Sequence, residues 1–101
     1  MDFNDMLLEH EGKILQVTLN RPNVLNALRK ETFLELETIL DVFANSNDYW
    51  VMIITGAGEK AFSAGGDIKA LAKMNKTDAE AFAKLTHRIL NKIESIPKPI
   101  L

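Results

Sequence analysis

The stretch Trp50–Ile68 reads WVMIITGAGEKAFSAGGDI and decides the fold of the chain. Its apolar beginning, Trp50–Ile54, predicts a buried strand, and the small residues that follow predict a loop ending at Asp67, a good helix N-cap. Such a loop can bring bare backbone N–H groups close to a ligand, and N–H groups at a helix start favour anions. We therefore expect an anion-binding loop here; the alternative is a tight turn followed by a helix cap.

Two common phosphate-binding patterns do not fit this loop. A P-loop needs a lysine directly after a suitably spaced glycine and before Ser or Thr, and neither Lys60 nor Lys69 has these neighbours. A dinucleotide-binding fingerprint needs a glycine three residues after Gly58, where Ala61 stands. A relaxed pattern with Ala61 would begin a helix inside a poor helix-forming stretch. A nucleotide-binding βαβ domain is therefore the weaker alternative.

Length and composition exclude several classes of protein. The 101 residues, of which 47% are hydrophobic and 26% charged, fit one globular domain over residues 1–101. A net charge of −2 argues against a nucleic-acid partner. Two histidines and no cysteine argue against structural zinc, disulfides and a thiol nucleophile, and they are compatible with the cytoplasmic location that we expect. The chain has no membrane-length apolar run, and its acidic start lacks the basic region of a signal peptide, so we expect no membrane partner.

The order of strand and helix patterns predicts an α/β fold with a partly parallel sheet. The predicted elements are a hairpin of Met6–His10 and Ile14–Leu19, the strand Trp50–Ile54, and helices over Arg29–Asn45, over Asp67–Met74 and from Thr77 onward. Thr77 as N-cap with Glu80 at N3 forms a capping box for the last helix. We expect Trp50 to be a packing anchor.

The end of the chain predicts one more strand. Pro97 and Pro99 force an extended backbone, so Ile100-Leu101 would begin a buried strand. A domain seldom stops where its next strand begins. We therefore expect the chain to be a truncated part of a longer protein.

Two motifs taken together resemble those of one known family. Asn20–Pro22 (NRP) followed by Asn26–Leu28 (NAL) is similar to the N-R-P-x-x-x-N-A-L signature of the crotonase superfamily of enoyl-CoA hydratases and isomerases. Ala61–Lys69 (AFSAGGDIK) resembles that family's A-F-x-A-G-x-D-(I/L) loop, and Ile96–Pro99 (IPKP) resembles the entry into its next core strand. The resemblance implies the amino-terminal part of a crotonase-like spiral of ββα units.

The resemblance also implies a chemistry for the loop. Members hold the thioester oxygen of an acyl-CoA with two backbone N–H groups while it becomes an enolate, and the first donor would be the N–H of Gly66. The side chain of Asp67 would cap the following helix rather than act as a base. The second donor and the two glutamates of the hydratases would lie beyond Leu101, and neither Glu59 nor Glu80 is expected to replace them.

The same resemblance implies that coenzyme A, as part of the substrate and with no separate cofactor, lies across the loop. The expected contacts are with Val24, Leu25, Ala64, Gly66, Asp67, Ile68 and Lys69. Asn23 stands where many hydratases have a lysine, so Arg29, Lys30 or Lys69 would be the candidates for the CoA phosphates, solvated side chains being the alternative. Full-length members commonly form trimers or dimers of trimers, so we expect a homo-oligomer.

The first hypothesis is therefore an enoyl-CoA hydratase of fatty acid or related acyl-CoA metabolism, with the present 101 residues inactive by themselves. An acyl-CoA hydrolase, isomerase or dehydratase of the same superfamily is the nearest alternative. A non-catalytic binding or assembly module is the alternative from another class, and calorimetry with CoA would separate it from a retained ligand site.

Overall fold

The computed structural model describes residues 2–101. Along the chain the elements are β1 (Met6–Glu11), β2 (Ile14–Leu19), a 3₁₀ turn (Pro22–Val24), α1 (Lys30–Asn45), β3 (Val51–Gly56), α2 (Ile68–Ala72) and α3 (Lys76–Ser95). The α/β class and the predicted hairpin are confirmed. The helix predicted from Arg29 begins one residue later, with Arg29 as its N-cap.

The three strands form one sheet in the order β1-β2-β3. β1 and β2 are antiparallel, and they are joined by a turn in which Gly12 has φ +57°, a conformation that favours glycine. β2 and β3 are parallel, so the chain crosses between them through α1. Leu101 extends the sheet beyond β3, because its N–H donates to the Met52 carbonyl and its carbonyl accepts from Ile54 N–H. The extended pairing predicted for Ile100-Leu101 is confirmed, but its burial is not, since Leu101 is 74% exposed.

One apolar core joins the sheet to α1 and α3. Val17 and Met52 from the sheet, Leu40 and Phe43 from α1, and Ile89 from α3 are each 0% exposed. In β2 the alternation places Leu15, Val17 and Leu19 in this core, as a half-buried strand requires. The ring of Phe33 meets that of Phe82 edge-on, with centroids 5.7 Å apart, and so joins α1 to α3.

Two local predictions are wrong. The N-cap of α3 is Asn75, whose side chain accepts from Asp78 N–H, and so Thr77 lies inside the helix. Asn75 and Asp78 have the same spacing as Thr77 and Glu80, and the earlier pair starts the helix two residues sooner. Trp50 is not a packing anchor: its side chain is 63% exposed, and Lys13 Nζ lies 5.6 Å from its ring centroid.

Among the helices of residues 2–101, not one combines the length and the apolar composition that a membrane crossing requires.

Candidate functional site

The glycine-rich loop is bonded to the segment that precedes α1. Ala64 N–H donates to the Leu25 carbonyl over 2.9 Å, Leu28 N–H to the Gly65 carbonyl over 2.7 Å, and Asp67 N–H to the Leu28 carbonyl over 2.7 Å. This is the bonding of a short parallel strand pair, in which Leu28 lies opposite Gly66. The two motifs that the sequence analysis singled out therefore form one structural unit.

The Gly66 amide is left free by this pairing. In this parallel pair, Leu28 bonds to the residues on either side of Gly66, which are Gly65 and Asp67, and not to Gly66 itself. The N–H of Gly66 therefore points away from Leu28. Within residues 2–101 it donates to no main-chain or side-chain acceptor. Gly65, with φ +93°, provides the left-handed turn that only glycine adopts readily. The result is an uncommitted donor on a backbone fixed at both neighbouring residues.

An apolar cavity of about 380 Å³ adjoins Gly66. Its walls come from the sheet, α1, the loop and α3, and they include Leu28, Phe33, Leu36, Phe62, Phe82 and Leu90. No carboxylate from the described part of the chain lines it. The cavity can therefore hold an apolar group beside the free amide, and it brings no acid or base to that group.

Asp67 fixes the start of α2 with both carboxylate oxygens. Oδ1 accepts from Ala70 N–H over 3.1 Å, and Oδ2 accepts from Arg21 Nη1 over 3.0 Å. The bond from Ala70 and the guanidinium of Arg21 hold the pKa of Asp67 below its ordinary value. The prediction that this side chain is a helix cap is confirmed, and its ionised, engaged state suits it poorly to take up a proton.

The buried amide of Asn26 connects the two loops, a role that the sequence analysis did not assign. Its Oδ1 accepts from Arg21 N–H over 2.9 Å, and its Nδ2 donates to the carbonyls of Ala57 and Ala61 over 2.9 and 3.1 Å. The residue is 1% exposed and has φ +57°, which asparagine tolerates better than most residues. The sequence signal that could have indicated this role is the position of Asn26 in the NAL motif.

The residues predicted to contact CoA all lie on the rim of this unit. Val24 and Leu25 are 42% and 43% exposed, and Ile68, in the first turn of α2, is 80% exposed. Ala64 and Lys69 are exposed as well. Leu25 has φ +55°, which is uncommon for a branched residue and is typical of tight turns at functional positions. The pairing of the two segments places Leu25 beside Ala64, two residues before Gly66, and the ligand contacts of all these residues stay predictions.

The carboxylate oxygens of Asp5, Glu31 and Glu35 lie within 4.8 Å of one another. Within residues 2–101, these three side chains form a cluster that is close enough to hold a metal ion. Each already has partners within the protein. Asp5 accepts from Arg29 and Thr32, Glu31 pairs with Arg29, and Glu35 accepts from the N–H of Asp5. Burial raises the pKa of Asp5, but the hydrogen bonds from Arg29 and Thr32 outweigh it and leave that pKa below its ordinary value. The cluster therefore stabilises the start of α1.

Comparisons with known proteins agree with the fold and the motifs. The family model described as enoyl-CoA hydratase/isomerase matches residues 14–101. The chain is 38% identical over 101 residues to a short-chain-enoyl-CoA hydratase of Clostridium acetobutylicum, which covers all of this chain and 39% of that protein. It is 39% identical over 98 residues to the mitochondrial 3-hydroxyisobutyryl-CoA hydrolase of Rattus norvegicus, which covers 94% of this chain and 26% of that protein.

A solved structure gives the same result. The crystal structure of enoyl-CoA hydratase from Bacillus anthracis superposes with a TM-score of 0.92 at 30% identity, over 96% of this chain and 38% of that one. The chain thus spans less than two fifths of the length of these three relatives. Since the family model covers most of the chain, the chain belongs to the enoyl-CoA hydratase/isomerase family, the crotonase superfamily.

Proposed function

We propose that the Gly66 N–H stabilises the thioester oxygen of an acyl-CoA as that oxygen becomes an enolate. The observation that carries this proposal is the free amide, held between Gly65 and Asp67 by their bonds to Leu28. A fixed donor directed at a developing negative charge is worth on the order of 10²–10³ in rate. The apolar cavity beside it supports the proposal, because an acyl chain is itself apolar.

Hydration of a 2-enoyl-CoA is the reaction that we assign to the whole protein. Water loses one proton to a base as its oxygen adds to C3, the electrons of the double bond move toward the thioester oxygen to form an enolate, and C2 then takes up a proton as the enolate collapses. The N–H of Gly66 would act at the middle step of this reaction, in which the thioester oxygen carries the negative charge. The name of the Clostridium relative supports this choice.

Hydrolysis of an acyl-CoA is the second candidate. The rat relative named as a hydrolase is as similar to this chain as the hydratase, at 39% against 38% identity. Hydrolysis also places negative charge on the thioester oxygen, so the same amide would serve it. The two reactions differ in the groups that activate water, and no carboxylate of residues 2–101 lines the cavity to distinguish them.

Coenzyme A would lie across the exposed rim next to Gly66. We assign its contacts to Val24, Leu25, Ala64, Gly66, Asp67, Ile68 and Lys69. The exposure of all of these residues except the half-buried Asp67, and the pairing of their two segments beside the free amide, support this assignment.

The test uses acetoacetyl-CoA, whose acidic C2 gives an enolate with its own ultraviolet absorbance. Gly66→Pro removes the N–H, while Gly66→Ala keeps it and brings a Cβ to 3.2 Å from Leu71 Cδ1, the flexible end of a side chain. The bound ligand should form its enolate at a lower pH on the wild-type chain than in water. Gly66→Pro should lose about two pH units of this effect, the equivalent of about 10²-fold, and Gly66→Ala should keep most of it.

Equal enolate formation on Gly66→Pro and on the wild type would remove Gly66 from this role. Calorimetry with CoA itself is the companion measurement. Binding of CoA without any effect on the enolate would favour the non-catalytic binding module, and absence of binding would favour an assembly module.

A further inference from the structure

We propose that Arg21 is a positioning residue for the Gly66 amide, a role that rests on the proposed function of that amide. Its Nη1 donates to the Ala27 carbonyl over 2.6 Å and to Asp67 Oδ2 over 3.0 Å. Ala27 precedes Leu28, and Asp67 follows Gly66. One nitrogen of the guanidinium therefore joins the two chain segments directly beside the Leu28–Gly66 pair.

The other contacts of Arg21 hold the guanidinium in this place. Its backbone N–H donates to Asn26 Oδ1, and its Nε lies 4.0 Å from Asp5 Oδ1. The side chain is 18% exposed and that of Asp5 is 1% exposed, so water screens these charges weakly. Arg21 is therefore held at its backbone by Asn26, and its guanidinium lies near Asp5 on one side and bonds to Asp67 on the other.

Asp67 connects Arg21 to the loop through its carboxylate. Its Oδ1 is committed to Ala70 N–H, so the bond of Oδ2 to Arg21 sets the rotation of the carboxylate and the entry of the chain into α2. Without Arg21, the loop between Gly65 and Asp67 keeps its two main-chain bonds to Leu28 but loses the side-chain bridge across them. A displacement of the donor by about 1 Å costs on the order of 10²-fold.

The test compares R21M, R21K and R88M in the 101-residue chain, with acetoacetyl-CoA and free CoA as probes. Arg88 is the matched control, since it pairs with Glu37 between α1 and α3 and does not contact the loop. We expect R21M to weaken enolate formation about tenfold or more while its affinity for CoA changes little. R21K should restore part of the effect because a lysine can still donate to Asp67, and R88M should behave as the wild type.

Amide hydrogen exchange without ligand separates this inference from the proposed function. R21M should speed the exchange of Asp67 N–H, which R88M should leave unchanged. If the wild type stabilises no enolate, the proposed function fails, and the inference fails with it. If the wild type stabilises the enolate and R21M matches it in both enolate formation and exchange, the positioning role of Arg21 is excluded and the role of Gly66 stands. Should R21M not fold, the same comparison between R21K and the wild type decides.

Discussion

At the scale of single residues, Asn26 holds the two loops of the site together through three hydrogen bonds. Asn26→Asp keeps the acceptor for Arg21 N–H but turns an oxygen toward the carbonyls of Ala57 and Ala61, where Nδ2 donated. Two buried hydrogen bonds become repulsive contacts. We expect the free energy of unfolding at neutral pH to fall by about 3 kcal/mol, measured by urea denaturation.

The pH dependence of this variant gives the control. Burial and the two carbonyls favour the protonated carboxyl, so its pKa in the folded chain exceeds that in the unfolded chain. The loss relative to the wild type should therefore be smallest below the ordinary aspartate pKa of about 3.9 and should grow as the pH rises. Asn26→Ala, which has no titrating group, should show a loss that does not vary with pH. A pH-independent loss in Asn26→Asp would contradict this account of the amide.

At the scale of secondary structure elements, the end of α1 is held by Lys98. Its Nζ donates to the carbonyls of Phe43, Ser46 and Tyr49 over 2.7, 2.7 and 2.8 Å, and it also lies 4.9 Å from the ring centroid of Phe43. A cation at a helix carboxyl end is favourable, and three acceptors lose their partner without it. Lys98→Met should therefore lower the free energy of unfolding by about 2 kcal/mol. Urea denaturation would show this as a lower midpoint.

Lys92→Met provides the comparison for that variant. Lys92 pairs with Glu37 and with Asp41, whose side chain is 56% exposed. Since exposed ion pairs contribute about 0–1 kcal/mol, this change should be the milder one. Similar losses in the two variants would show that Lys98 acts as a surface charge and not as a cap.

Local patterns predicted the elements of this fold but not the contacts of its site. The alternation of β2 and the cap at Asp67 are local, and both are confirmed. The start of α3 was misplaced because Asn75 and Thr77 offer the same capping signal two residues apart. The bond from Arg21 to Asp67 joins residues 46 apart, so no local pattern can reveal it. The family motifs indicated which segments matter, but not that they pair with each other.

At the scale of the whole molecule, residues 2–101 offer the proposed oxyanion donor at Gly66 without an acid or base beside it. The cavity beside Gly66 is lined by no carboxylate of residues 2–101, and Asp67 is engaged by Ala70 and Arg21 with its pKa below the ordinary value. A carboxylate with a lowered pKa is a weak base near neutral pH. We therefore predict that the 101-residue chain binds crotonyl-CoA without hydrating it.

The ultraviolet absorbance of the conjugated thioester measures this directly, because addition of water removes it. The absorbance should stay constant with the 101-residue chain, while the Clostridium hydratase should remove it under the same conditions. Steady turnover above the uncatalysed rate would contradict the prediction. In that case Asp67→Asn would identify the base, because it keeps the cap on Ala70 while it removes the carboxylate. Loss of the turnover in that variant would transfer the proton-moving role to Asp67, against the geometry that now commits it to Arg21.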